Sequence, residues 1–85
     1  MMLDHHRALV SEIKRRREKA RFSQRELGQI AGCSRSMIAQ IETLRKPVPA
    51  SLVGPLLVSL RLMEAWDREE RKAVHAREAA QGLHI

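Results

Sequence analysis

The chain has 85 residues, which is enough for one small domain and an added helix but too few for a second, catalytic domain. Sixteen Lys and Arg outnumber ten Asp and Glu, and the formal charge of +6 predicts a polyanionic partner. The positive charge lies in residues 7–46, whereas residues 47–85 are close to neutral. We therefore expect the two halves to have different functions.

Several classes of function are excluded by what the sequence lacks. Cys33 is the only cysteine, which rules out an intrachain disulfide and favours a reducing, cytoplasmic setting. No apolar run reaches the length of a membrane-spanning helix, so no membrane partner is expected. The histidines lie near the two ends without ligand partners, and neither a phosphate-binding loop nor a nucleophile with a nearby base is present. We expect no enzymatic activity and no bound metal or cofactor.

The fold is predicted to be all-α with four or five helices, because helix formers dominate and no segment alternates as a half-buried strand does. The first helix is predicted over residues 4–20, where Leu9, Ile13 and Ala20 recur near the helical period. The basic run at residues 14–17 gives this helix a face that is solvated or faces phosphate.

Two short helices are predicted next. Ser23 with Glu26 three residues later forms a capping-box pattern, so a second helix should begin after Ser23. It should end just before Gly32, because glycine adopts the left-handed conformation at a helix end without steric penalty. Ser34 is the next cap candidate and predicts a third helix over residues 35–44.

A fourth helix is predicted after the proline-rich break at residues 46–49, with Ser51 as its cap and Pro55 tolerated near its start. It carries two apolar stripes on roughly opposite faces. The inner stripe consists of Leu52, Val53, Leu56, Leu60 and Met63, and the outer stripe consists of Val58, Leu62 and Trp66. One core cannot easily bury both, so the outer stripe is predicted to be exposed for a partner unless the last helix folds back over it. Asp67 with Glu70 could cap a separate final helix, or the fourth helix could continue.

Residues 24–43, which read QRELGQIAGCSRSMIAQIET, resemble the helix-turn-helix of the Cro and phage-repressor family, also called the xenobiotic response element type. Gly28 matches the small residue of that family where two helices cross, and Gly32 matches its turn. The apolar positions that fix the crossing angle are Leu27, Ala31, Ile38 and Ile41. The resemblance covers about residues 9–62 and implies a lambda-repressor-like fold. Leu44 departs from the pattern, which usually has a polar residue or glycine there.

The resemblance makes residues 35–44 the recognition helix. A major groove about 12 Å wide accepts one α-helix, provided that a scaffold buries the other side of that helix. Four outward-facing side chains suit base edges. These base-reading candidates are Arg35 for guanine, Gln40 for adenine, Ser36 for several bases and Ala39 for the thymine methyl group.

Phosphate contacts are implied by the resemblance at the start of the second helix and on both sides of the third. The candidates are Gln24, Ser34, Thr43, Arg45 and Lys46. The free N–H groups at helix N-termini favour anions, which gives the first two positions a second reason to meet phosphate. In the resembled family an Arg of the first helix pairs with a Glu of the third, which implies an ion pair between Arg17 and Glu42.

These expectations describe a DNA-binding domain over residues 7–63 and a helical extension over residues 64–85 that holds a second copy or another partner. We expect a repressor of transcription that binds double-stranded DNA as a homodimer on a palindromic operator, because two half-sites lie about one helical turn apart. One alternative is the antitoxin of a toxin–antitoxin pair, in which the extension would hold the toxin. Another is an adaptor that has kept the fold but lost specific DNA binding. A toxin or polymerase is the expected protein partner in addition to DNA.

Overall fold

The computed structural model describes residues 4–82, and the side chains of residues 4–70 and 72. Over these residues the chain is all-α, as predicted. Its helices are α1 (Asp4–Lys19), α2 (Gln24–Ala31), α3 (Arg35–Glu42) and α4 (Ala50–Gly82). Residues 83–85 of the predicted extension lie outside the described residues.

The beginnings of α2 and α3 and the end of α2 lie where the sequence predicts them. Ser23 Oγ accepts a hydrogen bond from Glu26 N at 3.0 Å, and Ser23 N donates to Glu26 Oε1 at 2.9 Å, which completes the capping box. Gly32 closes α2 in the left-handed region with φ 84°. Ser34 caps α3 by accepting a hydrogen bond from Met37 N at 3.0 Å.

The third helix ends at Glu42, so the predicted end at Leu44 was wrong by two residues. Leu44 has φ 62°, a left-handed conformation that L residues rarely adopt and that stops a helix. The next two backbone N–H groups, of Arg45 and Lys46, turn back and donate to Gln40 O at 2.8 and 3.2 Å. The residue at this turn is a leucine, whose side chain gives no sign of a left-handed conformation.

The fourth helix begins at Ala50, so Ser51 lies inside its first turn and is not the predicted cap. Leu52 N donates to Pro49 O at 2.9 Å, and the helix starts two residues earlier than a Ser51 cap would place it. From there α4 runs without interruption for 33 residues, about 50 Å at 1.5 Å per residue. The open question of a separate final helix is therefore decided in favour of one continuous helix, which also accommodates Pro55.

The core lies between α1, α2, α3 and the inner stripe of α4. Its buried side chains are Val10, Ile13, Ala20, Leu27, Ile38, Ile41, Val48, Leu56, Leu60 and Met63. The outer stripe of α4 is not part of this core, and its residues Val58, Leu62 and Trp66 are exposed by 55%, 42% and 50%. The two stripes therefore separate as predicted, and the described part of α4 does not fold back over the outer one.

Candidate nucleic-acid interface

The crossing of α2 and α3 depends on the absence of a side chain at Gly28. A Cβ atom at this position would lie 2.6 Å from the backbone oxygen of Cys33 and 3.2 Å from that of Ser34. The Gly28 oxygen also accepts hydrogen bonds from the backbone N–H groups of Gly32 and Cys33, both at 2.8 Å. The turn is thus tied directly to α2, which fixes where α3 begins.

A buried carboxylate at the end of α3 joins three helices. Arg17 of α1 donates from Nε and Nη2 to the two oxygens of Glu42, both at 2.8 Å, and from Nη1 to Phe22 O at 2.7 Å. Gln24, the first residue of α2, donates from Nε2 to Glu42 Oε1 at 3.0 Å. The Glu42 side chain is 1% exposed, and its hydrogen bonds raise the pKa of Arg17. We call Arg17, Gln24, Glu42 and the Phe22 carbonyl the Glu42 network.

The part of α3 that is open to solvent carries the base-reading candidates, with Arg35 in the first helical turn. Arg35 and Ser36 are exposed, whereas Ala39 and Gln40 are half-buried. Gln40 Nε2 donates to Ser36 Oγ at 3.1 Å, so these two side chains lie together one helical turn apart. Arg35 forms no ion pair with any residue that the structure describes, and its guanidinium is available to an external acceptor.

The phosphate candidates lie at the start of α2 and at the two ends of α3. The Gln24 amide is oriented by its bond to the buried carboxylate, and the Ser34 hydroxyl serves as the α3 cap. Thr43 Oγ1 donates to the Ala39 carbonyl at 2.8 Å, which ties the hydroxyl to the last turn of the helix. Arg45 and Lys46 are exposed in the loop that follows.

The basic run of α1 is divided among several contacts. Lys14 is exposed, and Arg15 pairs with Glu12 on the same helix, with 2.6 Å between Nη2 and Oε1. Arg16 instead forms a two-bonded ion pair with Glu64 of α4, in which Nε lies 3.1 Å from Oε2. This contact joins residues that are 48 positions apart in the sequence. Sequence analysis missed it because no local sequence pattern indicates it.

A ring contact between α4 and the α1–α2 turn was also missed. The ring centroids of Phe22 and Trp66 lie 6.3 Å apart and the ring planes are tilted by 46°. Sequence analysis placed Trp66 only on the outer stripe. Trp66 is half-exposed, so one part of this residue contacts the turn while another part remains open to solvent.

Other features of the described residues concern thiol reactivity, metal binding and membrane insertion. Burial raises the pKa of the Cys33 thiol, which disfavours the reactive thiolate. The described residues contain no group of His, Cys, Asp and Glu that could hold a metal ion. None of the helices in residues 4–82 is both long and apolar enough to cross a bilayer.

A sequence model described as "Helix-turn-helix domain" matches residues 8–74. The chain belongs to the helix-turn-helix family. The domain is a DNA-binding one, so DNA is the partner that the family implies, with regulation of transcription as the usual role. The match continues past residue 63, where sequence analysis placed the domain boundary, into the part of α4 that contacts α1. Comparisons with curated proteins and with solved structures gave no match.

Proposed function

We propose that this helix-turn-helix protein is a regulator of transcription of the Cro and phage-repressor type that reads double-stranded DNA with α3. The observation that carries the proposal is the contrast across α3. Its inner side is fixed by Ile38, Ile41 and the Glu42 network, while its outer side presents polar side chains to solvent. A helix held from one side and polar on the other is what a major groove requires.

The outward side chains suit specific base edges. Arg35 has the two parallel N–H groups that match guanine O6 and N7, and the Gln40 amide matches adenine N6 and N7. Ser36, which accepts a hydrogen bond from Gln40, is placed to help orient that amide. Ala39 offers a methyl group to thymine. These four side chains are the proposed base-reading set.

The phosphate candidates would fix the domain on the duplex without reading sequence. Gln24 and Ser34 lie at the N-termini of α2 and α3, where free N–H groups favour an anion. The other candidates come directly after the C-terminal end of α3 and are Thr43, Arg45 and Lys46. The side chains of Arg45 and Lys46 are exposed. Contacts at both ends of the recognition helix would set its register in the groove.

We further propose that the protein acts as a homodimer through the outer stripe of α4. Arg61 and Glu69 are both exposed and lie four residues before and after Ala65, on the same face as Val58 and Leu62. Two α4 helices that cross antiparallel at Ala65 would therefore bring Arg61 of one copy close to Glu69 of the other. A symmetric dimer suits a palindromic operator, and bound DNA would be closed to polymerase, which makes repression the proposed output.

Selection of duplexes from a random pool by the purified full chain tests this function. We expect an inverted repeat to be enriched, with half-site centres about 34 to 36 Å or a multiple of that distance apart. Binding should weaken with salt at a slope of roughly −0.9 for each phosphate neutralised. A pool that stays random after repeated rounds, despite measurable binding, would contradict base reading by α3.

Sedimentation equilibrium of the same protein tests the dimer. A concentration-dependent dimer that a Leu62→Glu variant abolishes is the expected result. A wild-type protein that stays monomeric at the concentrations at which it occupies both half-sites would contradict the outer stripe as a self-association surface. The stripe would then fit a different protein, as in the antitoxin alternative.

A further inference from the structure

We propose that Trp66 is a positioning residue for DNA binding, which acts on the recognition helix through Phe22 and the Glu42 network. The proposal rests on the proposed function, and it assigns to α4 a second role besides dimer formation. It concerns a residue that sequence analysis placed only on the partner surface.

The first step is the contact between α4 and the α1–α2 turn. Trp66 packs its ring against Phe22 at a centroid distance of 6.3 Å. Two residues earlier on α4, Glu64 is bonded to Arg16 of α1. One helical turn of α4 thus contacts α1 at Arg16 and the α1–α2 turn at Phe22. Arg17 lies between these two contact positions in the sequence.

The second step is the dependence of the turn on this contact. Arg21, which precedes Phe22, has φ 66°, a left-handed conformation that is costly for a residue with a side chain. Such a conformation persists where surrounding packing holds it. The Phe22 backbone is bonded to Arg17 in both directions, with its N donating to Arg17 O at 3.1 Å and its O accepting from Arg17 Nη1 at 2.7 Å. A displaced Phe22 would therefore displace the Arg17 guanidinium.

The third step leads from Arg17 to the DNA-facing side chains. The guanidinium holds Glu42 at the end of α3, and Glu42 in turn orients Gln24 at the start of α2. If this arrangement is already formed in the free protein, less ordering is required when DNA binds. Removal of the Trp66 ring would loosen this arrangement and weaken the binding of DNA, although Trp66 itself would not contact the DNA.

The test measures binding of a labelled duplex that contains a single half-site, so that dimer formation does not contribute. Trp66→Ala should bind about two- to tenfold more weakly, the range expected for loss of an aromatic pair. Trp66→Phe should recover most of the affinity. Glu70→Gln, an exposed change one turn further along α4, is the control and should bind as the wild type does. The slope of affinity against salt should not change, because no phosphate contact is lost.

A double-mutant cycle with Phe22→Leu shows whether the effect passes through Phe22. In that background Trp66→Ala should add little further loss. Equal binding by Trp66→Ala and the wild type, a full additional loss in the Phe22→Leu background, or a reduced salt slope would each overturn the proposal.

Amide hydrogen exchange of the free protein separates this proposal from the proposed function. Trp66→Ala should accelerate exchange at Phe22 and at the last turn of α3, whereas Glu70→Gln should not. If the wild type selects no duplex, the proposed function fails. The exchange result then still tests whether Trp66 is coupled to Phe22 and the end of α3. Unchanged exchange at both places would overturn the positioning role whatever the DNA result.

Discussion

The two sides of α3 are held in different ways. On the inner side, Ile38 and Ile41 are buried and Glu42 accepts hydrogen bonds from α1 and α2. On the outer side, the only side-chain hydrogen bond between base-reading candidates lies within the helix, from Gln40 to Ser36. Under the proposed function, one eight-residue helix would thus use different surfaces for stability and for recognition of DNA. Substitutions on the inner side should unfold the domain, and those on the outer side should change binding while leaving the fold intact.

The largest loss is expected from Arg17→Met. This change leaves the Glu42 carboxylate buried without its positively charged partner and with only the Gln24 amide as a donor, which should lower the free energy of unfolding by about 3 to 5 kcal/mol. Urea unfolding followed by circular dichroism measures it. Arg15→Met is the matched control, because the Arg15–Glu12 pair is exposed and should contribute little. Similar losses for the two variants would contradict the assignment of the inner side to the buried pair.

Gly28→Ala should cost about 1 to 3 kcal/mol, because its Cβ would meet the backbone oxygen of Cys33 and force α2 and α3 apart. The control is Gly54→Ala in α4, where a Cβ meets nothing within 4 Å apart from its own helix backbone and chain neighbours. That change should alter stability by less than about 1 kcal/mol, because the helix preference of alanine is offset by the restriction that Pro55 places on the residue before it. Both changes can be measured in the same thermal unfolding experiment. Equal effects would show that the crossing tolerates a side chain.

Leu44→Gly should raise stability by a few tenths to about 1 kcal/mol. Glycine removes the strain of a left-handed leucine, about 1 to 2 kcal/mol, but loses more freedom on folding, about 0.5 to 1 kcal/mol. Arg45→Gly in the next position is the control and should not stabilise, because Arg45 has no positive φ. A loss of stability in Leu44→Gly would mean that the leucine side chain contributes more than its backbone conformation costs.

The smallest effect concerns acid stability. The hydrogen bond from Arg16 lowers the pKa of Glu64, so this pair stabilises the fold above the ordinary glutamate pKa of about 4.3 and the gain is lost as pH falls through the lowered value. The urea midpoints of the wild type and Glu64→Gln should therefore differ near neutral pH and converge in acid. Glu70→Gln, an exposed change on the same helix, is the control. A wild-type advantage that does not shrink as the solution is acidified would contradict the ionic origin of the contact.

Local features of this fold could be predicted from sequence, because the residues responsible lie within a few positions of one another. Ser23 with Glu26, Gly32 and Ser34 set three helix ends, and the spacing of the inner stripe set the buried face of α4. The Arg17–Glu42 contact was expected only through the resemblance to a known family.

Features that depend on distant residues or on backbone strain could not be predicted. The left-handed turn at Leu44 has no side-chain signature, and the early start of α4 at Ala50 depends on the Pro49 carbonyl. The contacts of Glu64 and Trp66 with the α1 end of the domain arise only once α4 lies against it. The Asp67–Glu70 pattern also allowed a new helix, so the sequence did not decide that α4 continues to Gly82.

Base reading by α3 is tested most directly by the ratio of affinities for a selected duplex and a scrambled duplex at one salt concentration. Arg35→Ala combined with Gln40→Ala should remove most of that ratio, because each bidentate contact contributes about 1 to 3 kcal/mol of discrimination. The thermal midpoint and the affinity for the scrambled duplex should change little. Arg7→Ala with Gln29→Ala, which removes the same groups from exposed positions of α1 and α2, should keep the ratio. An unchanged ratio in the Arg35, Gln40 variant would contradict the assignment of α3 as the recognition helix.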